Sequence, residues 1–242
     1  MRSLPLAAAF CALASPALAL DGKVYSPQIV KGEAEIEYAG TRTFDASRDK
    51  NDLQGNQFSL GYAFTDYWMP EFYFAEFARG PGQPQYFTGN EFENLFQFWP
   101  TGKYWLDAGL LASYRLAAKK DDADSVELKL LLQKDIGRFT ALANMGVERQ
   151  IGSRAIGGND LASAANIRYR WSEYLQPGVE WQADYGALGD RLPFGRQEHY
   201  LGPIMYGRLA PGLRYEAGYF AGVSSAAASS AMRLRLEYEM FF

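Results

Sequence analysis

The chain has 242 residues, a formal charge of −4, 15% aromatic residues, one cysteine and one histidine. That length suits a single all-β domain. The lone cysteine excludes a disulfide framework, and the slightly acidic balance excludes the broad basic face that nucleic-acid binding needs. No group of His and Cys offers a transition-metal site, and the scattered glycines from Gly152 to Gly158 precede no helix that could cradle a phosphate, so no metal or cofactor is expected.

At the N-terminus, Met1 and Arg2 make a short basic start, Leu4 to Ala14 is apolar, and Ala17-Leu18-Ala19 has the small-x-small form of a cleavage site. The apolar stretch is well short of the roughly twenty residues a spanning helix requires. Residues 1–19 are therefore read as an export signal, with 20–242 as the mature domain. Cys11 lies inside the signal and follows Phe10, where a lipoprotein signal needs a small residue, so the mature chain is expected to carry neither thiol nor lipid anchor. Removing the signal takes away Arg2 and no acid, which leaves the remainder one unit more negative than the whole.

Beyond the signal the dominant pattern has a period of two. Ala34, Ile36 and Tyr38 alternate with Glu33, Glu35 and Glu37; Val126, Leu128, Leu130 and Leu132 with Glu127 and Lys129; Ile167, Tyr169 and Trp171 with Arg168 and Arg170. Val179, Trp181, Ala183 and Tyr185 oppose Glu180, Gln182 and Asp184, and Leu213, Tyr215, Ala217 and Tyr219 oppose Arg214 and Glu216. In the last segment Met232, Leu234, Leu236, Tyr238, Met240 and Phe242 take one face, and Arg233, Arg235, Glu237 and Glu239 the other. Alternation of this kind makes a strand with one apolar and one polar face. The last run is about twice as long as the strands of five or six residues usual in soluble sheets.

The pattern predicts twelve strands, near 30–44, 54–65, 67–78, 86–98, 103–116, 124–134, 137–150, 161–173, 177–186, 197–209, 212–223 and 228–242. The connections after odd strands are longer and polar or glycine-rich, and those after even strands are tight, as in Thr65-Asp66 and Asp135-Ile136-Gly137. Short turns on one side and longer loops on the other are the asymmetry of a membrane barrel. Lipid leaves no water for an open sheet edge, so the sheet must close. The predicted fold is an all-β, closed, antiparallel, up-and-down transmembrane β-barrel. Tyr67, Trp68, Trp99, Tyr104, Trp105, Trp171 and Tyr174 fall beside the tight turns and are expected to form an interfacial girdle.

The C-terminal row of Leu234, Leu236, Tyr238, Met240 and Phe242 resembles the signal by which Gram-negative outer-membrane barrels are inserted. By pattern alone, the other strands resemble proteobacterial barrels grouped as transporters. The resemblance implies an outer-membrane location, contact with outer-membrane lipids, and the barrel assembly machinery as a partner.

Function is then expected in the interior. Twelve tilted strands about 4.8 Å apart make a cylinder roughly 24 Å across, which inward side chains narrow to about 10 Å or close. The phase assigns Glu33, Glu35, Glu37, Glu71, Glu91, Glu93, Asp107, Glu127, Glu148, Glu180, Asp184, Glu216, Glu237 and Glu239 to the lumen, with Arg115, Lys129, Arg168, Arg170, Arg214, Arg233 and Arg235. Arg168 and Arg170 are expected to face Glu148, Glu180 and Asp184, and Arg233 and Arg235 to face Glu216 and Glu37. Pairs that stay along the wall leave a passive, cation-leaning channel for small polar solutes. Pairs that reach across seal a scaffold. No loop has the length of a plug, which leaves selectivity to the wall.

A lipid hydrolase is the third reading. It would need His199, beside Glu198, to act on Ser153, Ser224 or Ser225, and no nucleophile elbow surrounds these serines. His199 reads more simply as an exposed loop residue. Asp121, Asp122 and Asp124 read as a solvated loop.

Overall fold

The computed structural model describes residues 23–242, and the expected export signal, residues 1–19, lies outside them. Twelve strands form one closed barrel in which each pairs antiparallel with its sequence neighbours, and the first pairs with the last. They are β1 Glu33–Phe44, β2 Gln54–Tyr62, β3 Trp68–Arg79, β4 Tyr86–Gln97, β5 Asp107–Ala117, β6 Asp124–Ile136, β7 Phe139–Ile151, β8 Asp160–Tyr169, β9 Gln176–Ala187, β10 Glu198–Ala210, β11 Leu213–Gly222 and β12 Ser230–Phe241. The expected count is present, but the alternation of loop length holds only in part: the connection after β4, residues 98–106, is longer than those after β3 and β5, and the one after β8 equals them. Five strands, β1, β2, β5, β8 and β12, are each three residues shorter than expected; among them β5 starts only at Asp107, and β8 stops at Tyr169.

The burial pattern is the inverse of a soluble protein's. Leu128, Met145 and Tyr219 are each more than half exposed, whereas Glu37 and Arg233 are only 2% exposed. Water would penalise both halves of that arrangement. An outward apolar band with a polar interior is the solution a barrel adopts in lipid. Of the expected girdle, Tyr67, Trp68, Tyr104, Trp105, Trp171 and Tyr174 are exposed around the short-turn end, while Trp99 is half-buried and donates its indole N–H to the carbonyl of Leu106 at 3.0 Å.

The seam between β1 and β12 runs in register from Glu33 opposite Phe241 to Phe44 opposite Ser230. At its short-turn end the amide of Phe242 donates to the carbonyl of Gly32 at 3.0 Å. Gly32 has φ +86, and a Cβ there would stand 2.5 Å from the carbonyl oxygen of Phe242. Only glycine can turn the chain so tightly at this point. At the other end the loops after β1 and β11 are clasped together: the Asp45 carboxylate accepts from the amide and hydroxyl of Ser229 at 2.7 and 2.8 Å, and Lys50 donates to the carbonyl of Ser225.

Candidate functional site

The residues before β1 do not leave the barrel. From Lys23 to Ile29 they cross its interior, contrary to the expectation that nothing would act as a plug. The Lys23 ammonium bonds Glu37 on β1 at 2.7 Å and lies 3.6 Å from Glu237 on β12. Tyr25 engages the far wall, where Asn144 on β7 accepts from its amide at 2.7 Å and donates to its carbonyl at 3.0 Å. The Tyr25 hydroxyl donates to Glu93 on β4 at 2.8 Å. Ser26 donates to Gln133 on β6 at 2.7 Å, Gln28 to Asp107 on β5 at 3.2 Å, and the amide of Ile29 to Gln97 on β4 at 2.8 Å.

Apolar contacts complete the seat. Tyr25 packs on Leu111 and Leu131, and Ile29 on Ala63 and Met69, with Leu95 touching both groups. Pro27 lies so close to β5 that a Cβ on Gly109 would be 3.0 Å from it. An extended strand of backbone buried among side chains must satisfy its own N–H and C=O groups. Asn144 meets that need in both directions, where a carboxylate could not donate in return, and Gln97 accepts from the segment while its own N–H groups go to Trp99 and Thr101.

The other half of the lumen holds a charged network. Arg233 on β12 bonds Glu216 on the adjacent β11 at 2.6 Å and reaches past β11 and β10 to Glu180 on β9 at 2.5 Å. Arg235 bonds Glu37 at 2.6 Å and lies 3.8 Å from Glu216, so the pairing of Arg233 and Arg235 with Glu216 and Glu37 is as expected. Arg214 bonds Glu239 at 2.6 Å. Toward the long-loop end, Lys129 bonds Glu127 on its own strand at 3.0 Å and Arg115 bonds Glu76 at 3.0 Å. Glu91 stands opposite Arg115 in the strand register and Glu127 opposite Glu148.

Arg168 and Arg170 are placed differently from the expectation. Arg168 stands opposite Gly178, not an acid, and its guanidinium lies over the Tyr206 ring at 4.9 Å. Glu180 is taken by Arg233 and Tyr206, while Asp184 accepts from the amide of Gly186. Arg170 lies beyond the end of β8, where it bonds Asp135 at 2.5 Å and fastens the turn between β6 and β7.

His199 is not an exposed loop residue. It is 3% exposed, stacked between Trp181 at 6.0 Å and Phe194 at 4.6 Å, and its ring nitrogen meets Gln197 at 2.8 Å. Ser224 accepts from its backbone amide, not from the ring. Asp124 caps the amide of Ala117 at 2.9 Å, and Asp121 pairs with Arg154 at 3.1 Å.

Between the N-terminal segment and the short-turn end lies a cavity of about 450 Å³, lined by carboxylates of β1, β3, β4 and β12 and by arginines of β8, β10, β11 and β12. Sequence reasoning missed this site because the segment that bounds it has no charge pattern or period. The signal that could have found it is the row of amides, Gln97, Gln133 and Asn144, at inward positions otherwise held by charges.

Two solved structures share the architecture. The NanC porin aligns with a TM-score of 0.55 and 9% identity, covering 86% of this chain and 99% of its own. An outer-membrane channel from Pseudomonas putida F1 aligns with a TM-score of 0.64 and 12% identity, covering 88% of this chain and 97% of its own. Neither a family model nor a curated protein matches the sequence. The chain thus has the fold of a Gram-negative outer-membrane barrel.

Proposed function

We propose that the protein is an outer-membrane channel for small hydrophilic solutes whose bore, in the conformation described here, is shut by its own N-terminal segment. The observation that carries this reading is the polar cavity of about 450 Å³ that ends at a strand of backbone rather than at packed side chains of the wall. A barrel serving only as a scaffold has no need to keep a charged chamber inside, and small barrels fill theirs. That the two similar structures are a porin and a channel agrees with it. Carboxylates outnumber cations at the inward positions, which favours entry of cations and polar neutral solutes. Short turns face the periplasm in barrels of this kind, so the chamber opens inward and the clasped loops face outside. The C-terminal row from Leu234 to Phe242 serves as the insertion signal for the assembly machinery.

The hydrolase reading loses its base, because the His199 ring is enclosed by aromatic rings and engaged by Gln197. A sealed scaffold draws support from Arg233, which reaches Glu180 across two intervening strands. Planar bilayers separate the channel from the scaffold. The mature protein should give brief, small openings, and the same chain lacking residues 20–31 a steady, larger, cation-preferring current. Silence of both across salt and voltage would establish the sealed barrel instead.

A further inference from the structure

Nearly every charged side chain around the chamber is matched. Glu71 accepts from Ser59 at 2.5 Å, Glu93 from Tyr25 at 2.8 Å, Arg208 bonds Glu173 at 3.2 Å and Arg214 bonds Glu239 at 2.6 Å. Two are not. Glu35 on β1 is 8% exposed and makes no hydrogen bond or ion pair among the described residues. Its neighbour Lys23 is committed to Glu37 and Glu237. Arg168 on β8 likewise makes none, and its Nε is buried without a partner. Both line the same cavity.

A charge withdrawn from water and left without a counter-charge is costly. Here Glu35, which only shares the field of Lys23 with Glu37 and Glu237, and Arg168, which has no acid bonded to it, face a single space. β8 lies five strands from β1 around the closed sheet, so the two groups stand nearly a full diameter apart. An α-amino acid, whose charges share one carbon, would not bridge them. Resting on the reading of the lumen as a solute pathway, we infer that the chamber binds short linear zwitterions, the ammonium end at Glu35 and the carboxylate end at Arg168. Di- and tripeptides and ω-amino acids have that form. The Tyr206 ring lies 4.9 Å from the guanidinium carbon and supports a group suited to a two-point grip on a carboxylate.

The test uses the purified mature barrel in detergent micelles and three probes of matched shape: triglycine, N-acetyltriglycine, which keeps only the carboxylate, and triglycinamide, which keeps only the ammonium. Calorimetry should give triglycine an affinity about tenfold above either blocked peptide. Glu35→Gln should reduce triglycine to the level of N-acetyltriglycine, and Arg168→Gln to that of triglycinamide, while Arg168→Lys retains a preference. Equal binding of all three by the wild type, or no binding of triglycine, overturns the inference even if neither variant folds. Survival of the preference in both folded glutamine variants does the same. Micelles report binding without conduction. A barrel that conducts but shows no preference refutes this inference alone, whereas one that binds and never conducts refutes the channel.

Discussion

The two halves of the lumen are built on different chemistry. The half formed by β9 to β12 and β1 joins Arg233, Arg235, Glu37, Glu180 and Glu216 in contacts of 2.5 to 3.8 Å. Apart from Lys23 on Glu37, these partners all belong to the wall. The half formed by β4 to β7 carries the Lys129–Glu127 pair, but where the N-terminal segment crosses it presents Gln97, Gln133, Asn144, Leu111 and Leu131, whose amides bond the backbone of Tyr25 and Ile29 and the hydroxyl of Ser26. The first half cannot lose a member without stranding a charge. The second can release its occupant to water, because amides and an extended backbone both hydrate readily. On the proposed reading the contrast separates rigidity from movement: one wall holds the bore's shape, and the other seats the segment that would leave.

Three substitutions would break or sharpen that contrast. Arg233→Ala leaves Glu180 buried without its cation and Glu216 with only Arg235 at 3.8 Å, and should cost about 3–5 kcal/mol, read as a lower urea midpoint for unfolding of the barrel in micelles. An unchanged midpoint would mean the charged wall is not the rigid one. Asn144→Ala removes both hydrogen bonds to the backbone of Tyr25, leaving its hydroxyl on Glu93, and should loosen the segment by about 1–3 kcal/mol. Longer channel openings with the same urea midpoint are expected, and a fall in the midpoint would show that the segment is part of the barrel's own stability.

Asp45→Asn should have the smallest effect, a modest gain in protease access at the clasped outer loops. The amide of Ser47 and the groups of Ser229 hold the Asp45 carboxyl below the ordinary aspartate value. A lowered value stabilises the folded form above the unfolded value of about 4, and that contribution disappears as the pH falls through the lowered one. Acid should therefore reproduce the variant's protease sensitivity in the wild type, and a clasp indifferent to acid would remove the carboxylate from the account.

Much of this architecture was legible from periodicity. Charges alternating with Leu, Ile and Tyr marked both faces of most strands, and unequal connections marked the two ends. The pairing of Arg233 and Arg235 with Glu216 and Glu37 followed from neighbouring strands, since such contacts depend on register. Arg168 and Arg170 escaped the same logic because β8 ends before Arg170 and pairs Arg168 with a glycine. Contacts across the bore, such as Arg233 with Glu180, depend on closure and side-chain reach, which a one-dimensional pattern does not encode. His199 was misjudged because the short helix Phe194–Arg196 brings Phe194 back over it.

The bond between Phe242 and Gly32 has a consequence for biogenesis. It exists only once the two edge strands have met, and Gly32 is the point from which Tyr25 swings toward Asn144. The segment's seat spans the same junction, with Lys23 touching Glu37 on one edge strand and Glu237 on the other, so it is whole only where the sheet has closed upon itself.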